Sequence, residues 1–181
     1  MKNQSNKQII ETENLQLILC EAEHYEAILR DKKELEQLLG LKVFDTWPEF
    51  PESIPYAYNY YKTHPSSARW GMYLFAHTKD RALIGNGGYK GEPDEEGMVE
   101  IGYAIVPEYR RRGFASEAAR GLTRYAFSHP EVKVVQAHTL KDGIASIRVL
   151  EKLGMKFVGT VQDPDEGEVL HWRVTREGFI L

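Results

Sequence analysis

Residues 98–116 read MVEIGYAIVPEYRRRGFAS, and their pattern decides the fold. The first nine alternate, with Val99, Ile101, Tyr103 and Ile105 on one face and Glu100, Gly102, Ala104 and Val106 on the other, which is the period of a strand. One face is bulky and apolar, and the other sets a single carboxylate among small residues. Pro107 removes a backbone donor and closes the strand. Residues 108–112 are strongly polar, and Gly113 marks a point where the backbone can take positive φ or approach a ligand closely. Beyond it Ala115, Ala118, Ala119, Leu122 and Ala126 recur at the spacing of an amphipathic helix, with Ser116 and Glu117 where a first turn accepts caps and acids.

A strand, a basic glycine-containing loop and a helix N-terminus suit an anion. The first four N–H groups of a helix have no internal partner, and the macrodipole adds about half a positive charge there. Arg110, Arg111 and Arg112 strengthen that field. Taken alone, the same residues also read as a solvated turn with a basic patch. The Walker phosphate loop is excluded, because its two glycines and its Lys-Ser/Thr pair are absent.

In this setting the R-x-x-G-x-A run of Arg110, Gly113 and Ala115 resembles the Q/R-x-x-G-x-G/A pyrophosphate loop of the GNAT N-acetyltransferases. IGYAIVPEYRRRGFASEA is similar to their ribosomal-protein-acetylating RimJ/RimL branch. The resemblance follows the element order from residue 14 to residue 176 and is sharp over 99–117 and 142–157. It implies acetyl-CoA as co-substrate, with its diphosphate on Arg110, Arg111, Arg112, Gly113, Phe114, Ala115 and Ser116. Backbone groups of Ile105 and Val106 are the candidates to bond its pantetheine arm like another strand. It also implies that the strand at 98–106 splays apart from its parallel neighbour at 132–139.

Acetyl transfer to an amine needs the amine neutral, since an ammonium has no lone pair, and a positioned proton acceptor contributes on the order of 10²- to 10⁴-fold. Glu100 shares its face with Gly102 and Ala104, which leaves room for a substrate, and it matches the glutamate of the similar strand in RimL-like enzymes; the plain alternative is a salt-bridged strand glutamate. Ser146 occupies the serine position of the family's D-N-x-A-S segment and so is the candidate donor to the leaving thiolate; without the resemblance it is a helix serine bonded to backbone. Tyr103 falls on the opposite strand face from Glu100. The chain departs from the family at Gly143, where asparagine is common, which removes a side chain expected to help hold CoA. No G-x-S-x-G or Cys-His signature is present, so direct transfer in a ternary complex is the expected mechanism.

The expected function is therefore acetyl-CoA-dependent N-acetyl transfer to a protein N-terminal α-amine or a small-molecule primary amine. Two rivals are a non-catalytic acyl-CoA-binding or regulatory module and an RNA-binding domain using Arg110, Arg111 and Arg112. The resemblance makes a homodimer plausible.

Composition narrows the field. With 181 residues and 42% hydrophobic content, one domain with a real core is expected over 1–181, its core at 14–176 and its first 13 residues loose. A net charge of −4 argues against wide nucleic-acid contact and suits a cationic substrate. Cys20 has no partner for a disulfide and reads as a buried small hydrophobe. The six histidines form no metal-ligand spacing, so no metal is expected, although His138 could line the cleft. Neither an apolar leader nor a membrane-spanning run is seen, and the expected location is the cytoplasm.

The remaining pattern is that of an α+β fold: a mixed, mostly antiparallel seven-stranded sheet with helices on both faces. Residues 15–20, 70–77, 82–89, 132–139, 155–161 and 168–174 read as the other strands. Gly85, Gly87 and Gly88 suggest a bulge in the third of these in chain order. Residues 22–30 and 32–39 read as helices, the second capped by Asp31 and stopped by Gly40. Asp142 is expected to cap a helix over 143–153 whose Ile144, Ile147, Leu150 and Leu153 point inward. The aromatic cluster of Tyr56, Tyr58, Tyr60 and Tyr61 reads either as packing or as a cleft wall, and residues 91–97 as a solvated acidic turn or a lure for a cation.

Overall fold

A computed structural model describes residues 8–180. The chain opens with β1 (Ile9–Glu11) and β2 (Leu15–Leu19), then α1 (Ala22–Arg30), α2 (Lys32–Leu39), β3 (Lys42–Val43) and α3 (Ser53–Thr63). A long hairpin follows, β4 (Met72–His77) and β5 (Ala82–Tyr89), and then β6 (Met98–Ile105), α4 (Phe114–Phe127), β7 (Val134–Leu140), α5 (Ile144–Lys152), β8 (Lys156–Asp163) and β9 (Gly167–Thr175). The strands lie in the order β1-β2-β4-β5-β6-β7-β9-β8, with β3 paired to β5.

This is the expected mixed α+β sheet, with two short strands added. β1 and β3 span three and two residues, too short to leave a period-two signal. β1 also corrects the loose N-terminus: Ile10 is buried and pairs with Leu17, while residues 1–7 of that expectation lie outside the described residues. The predicted bulge is present at Ile84, which lies unpaired between Gly85, opposite Phe75, and Leu83, opposite Ala76.

Caps explain the first two helices. Asp31 accepts a hydrogen bond from the Lys33 N–H at 3.1 Å, and Gly40 ends α2 at φ 66°. α5 departs from expectation. It starts at Ile144 behind Gly143, and the Asp142 side chain makes no cap. Ile144, at the first position of the helix, is 60% exposed, while Ile147, Leu150 and Leu153 face the core.

β4 is buried on both faces. Tyr73 and His77 meet Tyr125 and Phe114 of α4, whereas Met72, Leu74 and Ala76 face the opposite layer. α4 sits close to the sheet because its buried face is built of Ala118, Ala119, Gly121 and Ala126 around Leu122. The Tyr89 hydroxyl donates to the Leu122 carbonyl at 2.6 Å and so ties β5 to the helix midpoint.

One feature of the sheet positions the site. β6 pairs with β5 along residues 101–105 but with the parallel β7 only at 98–100, ending at Glu100 opposite Gln136. Past that point the two parallel strands separate.

Candidate active site

The loop that follows β6 is fastened from below. The Val106 N–H donates to the Ile84 carbonyl at 2.9 Å, so the β5 bulge anchors the exit of the strand. A 3₁₀ turn at Pro107–Tyr109 then aims Tyr109 inward, where its hydroxyl donates to Asp80 Oδ2 at 2.7 Å. That bond, ahead of the nearby His77 and Arg112, holds the Asp80 carboxyl below the usual carboxylate range. His77 packs edge-on against Phe114 at 4.9 Å, closing a cluster under the loop.

The three arginines have different surroundings. Arg110 Nε donates to the Ile105 carbonyl at 2.9 Å, and its Nη2 lies 2.5 Å from Glu49 Oε1. Arg112 lies over the Tyr109 ring at 4.6 Å and over Phe114 at 5.1 Å. Arg111 is exposed and takes φ 58°, a conformation uncommon for a side chain of its size.

Gly113 precedes α4 at φ 88°, and a Cβ placed there would meet nothing within 4 Å. The first intrahelical bond of α4 runs from the Glu117 N–H to the Gly113 carbonyl at 3.0 Å. The N–H groups of Phe114, Ala115 and Ser116 therefore precede the helical ladder at the positive end of a 14-residue helix. That donor set fits a diphosphate. Glu117 is turned away from it: the carboxylate accepts from the Thr12 hydroxyl and the Asn14 N–H, both at 2.6 Å, and from Asn14 Nδ2 at 3.1 Å.

Strand alternation identifies the open backbone along the gap. The Glu100 carbonyl accepts from Lys90 of the β5 side and the Val106 N–H also bonds that side, so the groups of Ile101, Tyr103 and Ile105 face β7. Since the β7 ladder ends at Glu100, the N–H and C=O of Tyr103 and the N–H of Ile105 have no partner on β7. This corrects the sequence expectation for Val106, whose N–H is already taken, and for the Ile105 carbonyl, which Arg110 occupies.

Glu100 stands at the point where the strands part, with its side chain 17% exposed. Its Oε1 lies 2.5 Å from Lys90 Nζ and 3.0 Å from His138 Nδ1. Neither approach is aligned for a hydrogen bond, so this buried oxygen has an ammonium and an imidazole beside it and no directed donor. A Cβ added at Gly102, next along the same face, would meet nothing within 4 Å, which leaves space beside the carboxylate.

His138 stacks on His171 of β9 at 4.6 Å. Arg173 Nε donates to His171 Nε2 at 3.2 Å, and the Gln136 side-chain oxygen is 2.8 Å from the same nitrogen. Burial first, then the charges of His138 and Arg173, push the His171 imidazolium below the ordinary histidine range.

Ser146 lies across β6 from Glu100, where its carbonyl is 3.5 Å from the Tyr103 hydroxyl. Burial pushes the Tyr103 phenol well up, so it keeps its proton at neutral pH. The structure thus brings Tyr103 to Ser146, and His138 and Lys90 to Glu100. Strand parity alone separates Tyr103 from Glu100 correctly. The missed partners of Glu100 depend on register: β7 pairs with β6 two residues further on than a start-to-start alignment of 98–106 with 132–139, which sets Gln136 opposite Glu100 and His138 next along that face.

The aromatic cluster divides as well. Tyr58 and Tyr61 pack on the buried Tyr25 at 5.0 and 5.7 Å, while Tyr56 is exposed on α3. Among the described residues, no helix is long and apolar enough to cross a membrane.

Comparison with known proteins places this geometry. Residues 15–156 match the family model described as an acetyltransferase (GNAT) domain. The chain is 28% identical over 166 residues to the uncharacterized N-acetyltransferase YjdG of Bacillus subtilis, covering 91% of this chain and 96% of YjdG. A match to YoaA of the same organism, 34% identical, spans 52% of this chain and 51% of YoaA. Among solved structures, the RimL ribosomal L7/L12 α-N-protein acetyltransferase in complex with coenzyme A superposes with a TM-score of 0.68 at 15% identity, over 93% of this chain and 98% of RimL. A GNAT-family acetyltransferase from Bacillus anthracis gives 0.64 at 21% identity, over 94% and 99% of the two chains. At those identities the structures share the fold.

Proposed function

Because the chain belongs to the GNAT acetyltransferase family, we propose that it transfers the acetyl group of acetyl-CoA directly to a primary amine, with Glu100 as the base. The observation that carries this reading is the position of Glu100. Its buried, undirected Oε1 stands where β6 and β7 part, at one end of an open strand edge whose other end meets the unpaired N–H groups of α4.

Acetyl-CoA supplies the acetyl group as an activated thioester. The N–H groups of Gly113, Phe114, Ala115 and Ser116 hold its diphosphate, with Arg110, Arg111 and Arg112 contributing positive field. The backbone of Tyr103 and the Ile105 N–H bond the pantetheine arm. From Ile105 to Glu100 is about 17 Å at roughly 3.3 Å per residue, so that arm ends near the carboxylate.

Glu100 takes the proton of the incoming ammonium, and His138 holds the carboxylate in place from β7. Ser146, the donor that the family resemblance implies, returns a proton to the leaving sulfur, and the Tyr103 hydroxyl lies 3.5 Å from the Ser146 carbonyl. The acceptor is a protein N-terminal α-amine or a small-molecule primary amine. The RNA-binding alternative loses support because Arg110 pairs with Glu49 and Arg112 lies on two rings.

Titration calorimetry with acetyl-CoA tests the cofactor half of the reading. Micromolar binding is expected for the wild type and none for Gly113→Asp, which places bulk and negative charge in the open space before α4. Equal binding by both proteins would remove the loop from the site.

A further inference from the structure

Lys90 is the residue of this chain that already stands where an acceptor amine would stand. It follows β5 directly, and its N–H donates to the Glu100 carbonyl at 3.0 Å, so the two residues are cross-strand neighbours. Its Nζ is 2.5 Å from Glu100 Oε1. The two side chains differ in freedom: Lys90 is 62% exposed and Glu100 17%. The ammonium therefore lies over the carboxylate on an exposed stem, and its contact is not locked by hydrogen-bond alignment.

The surroundings keep that path open. Gly102, beside Glu100 on the strand, carries no side chain and has free space at its Cβ position. Gly91, directly after Lys90, takes φ 110° and lets the chain turn away at once. A nucleophile held beside a reacting centre needs no binding affinity of its own, and effective molarities for well-oriented groups reach about 10⁵ M or more.

We propose that Lys90 is a self-acetylation site, modified in cis when acetyl-CoA is bound; this rests on the reading of Glu100 as base and of the open strand edge as the thioester's channel. The Lys90 ammonium gives a proton to Glu100, and the freed lone pair forms a C–N bond to the acetyl carbonyl carbon. The C–S bond breaks, its electrons leave on sulfur, and the thiolate takes a proton. The products are Nε-acetyl-lysine, CoA thiol and one proton released to water. The modified side chain no longer carries the charge that pairs with Glu100 and sets an acetamide over the base, so the same event slows transfer to an external amine.

The test needs no acceptor. The full chain is incubated with acetyl-CoA alone, and acetylated lysines are mapped by peptide mass spectrometry, with calorimetry of acetyl-CoA binding run in parallel. The expected result is one acetyl increment at Lys90, stable to hydroxylamine as an amide is, and formed at a rate independent of protein dilution. It should form about 10²-fold faster than at the exposed Lys79 and Lys133, and Glu100→Gln should bring Lys90 down to their rate. Lys90→Arg should keep acetyl-CoA affinity and lose the modification. If acetyl-CoA binds and Lys90 reacts no faster than Lys79 and Lys133, or reacts equally in Glu100→Gln, the self-acetylation proposal is overturned while the cofactor reading stands. If acetyl-CoA does not bind the wild type, both fall.

Discussion

Glu100 and His138 meet at 3.0 Å, Oε1 to Nδ1, from two parallel strands whose pairing ends at that very residue of β6. Here the ladder stops and leaves the carboxylate beside open space while an imidazole still braces it from the second strand.

His138 is accordingly expected to act through Glu100. His138→Gln should lower kcat by about 10-fold or more with any primary amine that turns over, because a mispositioned base loses part of its proton-transfer advantage. The dissociation constant for acetyl-CoA should stay at the wild-type value, and free imidazole should restore part of the rate. Steady-state kinetics set against calorimetry checks the split. A fall in acetyl-CoA affinity equal to the fall in kcat would instead mark His138 as merely structural.

Glu117 links the start of α4 to the β1–β2 turn. Desolvation raises its pKa, but the bonds from Thr12 and Asn14 outweigh it and the net shift is downward. The carboxylate therefore stabilises the fold above its unfolded value of about 4.3, and that contribution is lost as pH falls through the folded pKa. Glu117→Gln should cost about 1 kcal/mol at pH 7, reduced from the usual value for a charged hydrogen bond because the side chain is partly exposed. Urea denaturation at pH 7 and at successively lower pH checks it, with the difference from wild type shrinking as the pH falls.

His171 acts in the same direction over a higher pH range. Its folded pKa is lowered, so below about 6.5 the unfolded chain binds a proton that the folded ring resists. Stability should therefore decline as pH drops through that value, and His171→Gln should flatten this part of the profile. Thermal melts between pH 5 and pH 8 of the two proteins, about the range in which histidine titrates, would reveal an unchanged slope if the ring is not the cause.

Periodicity and caps account for what the chain discloses unaided. β6, its proline stop, the glycine before α4 and the small-residue face of that helix are all local signals, and Asp31 and Gly40 bound α2 by their own side-chain and backbone chemistry. Signals that depend on a distant partner are less visible. β1 is short and exists because Ile9 to Glu11 can pair with β2. Ile144 is exposed although it keeps the spacing of the core-facing Ile147 and Leu150. Arg110 belongs to a loop motif, yet its geometry is set by Glu49, 61 residues earlier in the chain. The partners of Glu100 lie on two other strands, so only register, and not the pattern within any one strand, reveals Lys90 and His138.

The most direct test of the account is Glu100→Gln, compared with wild type for acetyl-CoA binding by calorimetry and for acetyl transfer to a panel of primary amines and N-terminal peptides. The account predicts unchanged acetyl-CoA affinity and transfer reduced by at least about 10²-fold at neutral pH. A variant that binds acetyl-CoA and transfers acetyl groups at the wild-type rate would contradict the assignment of Glu100 as the base.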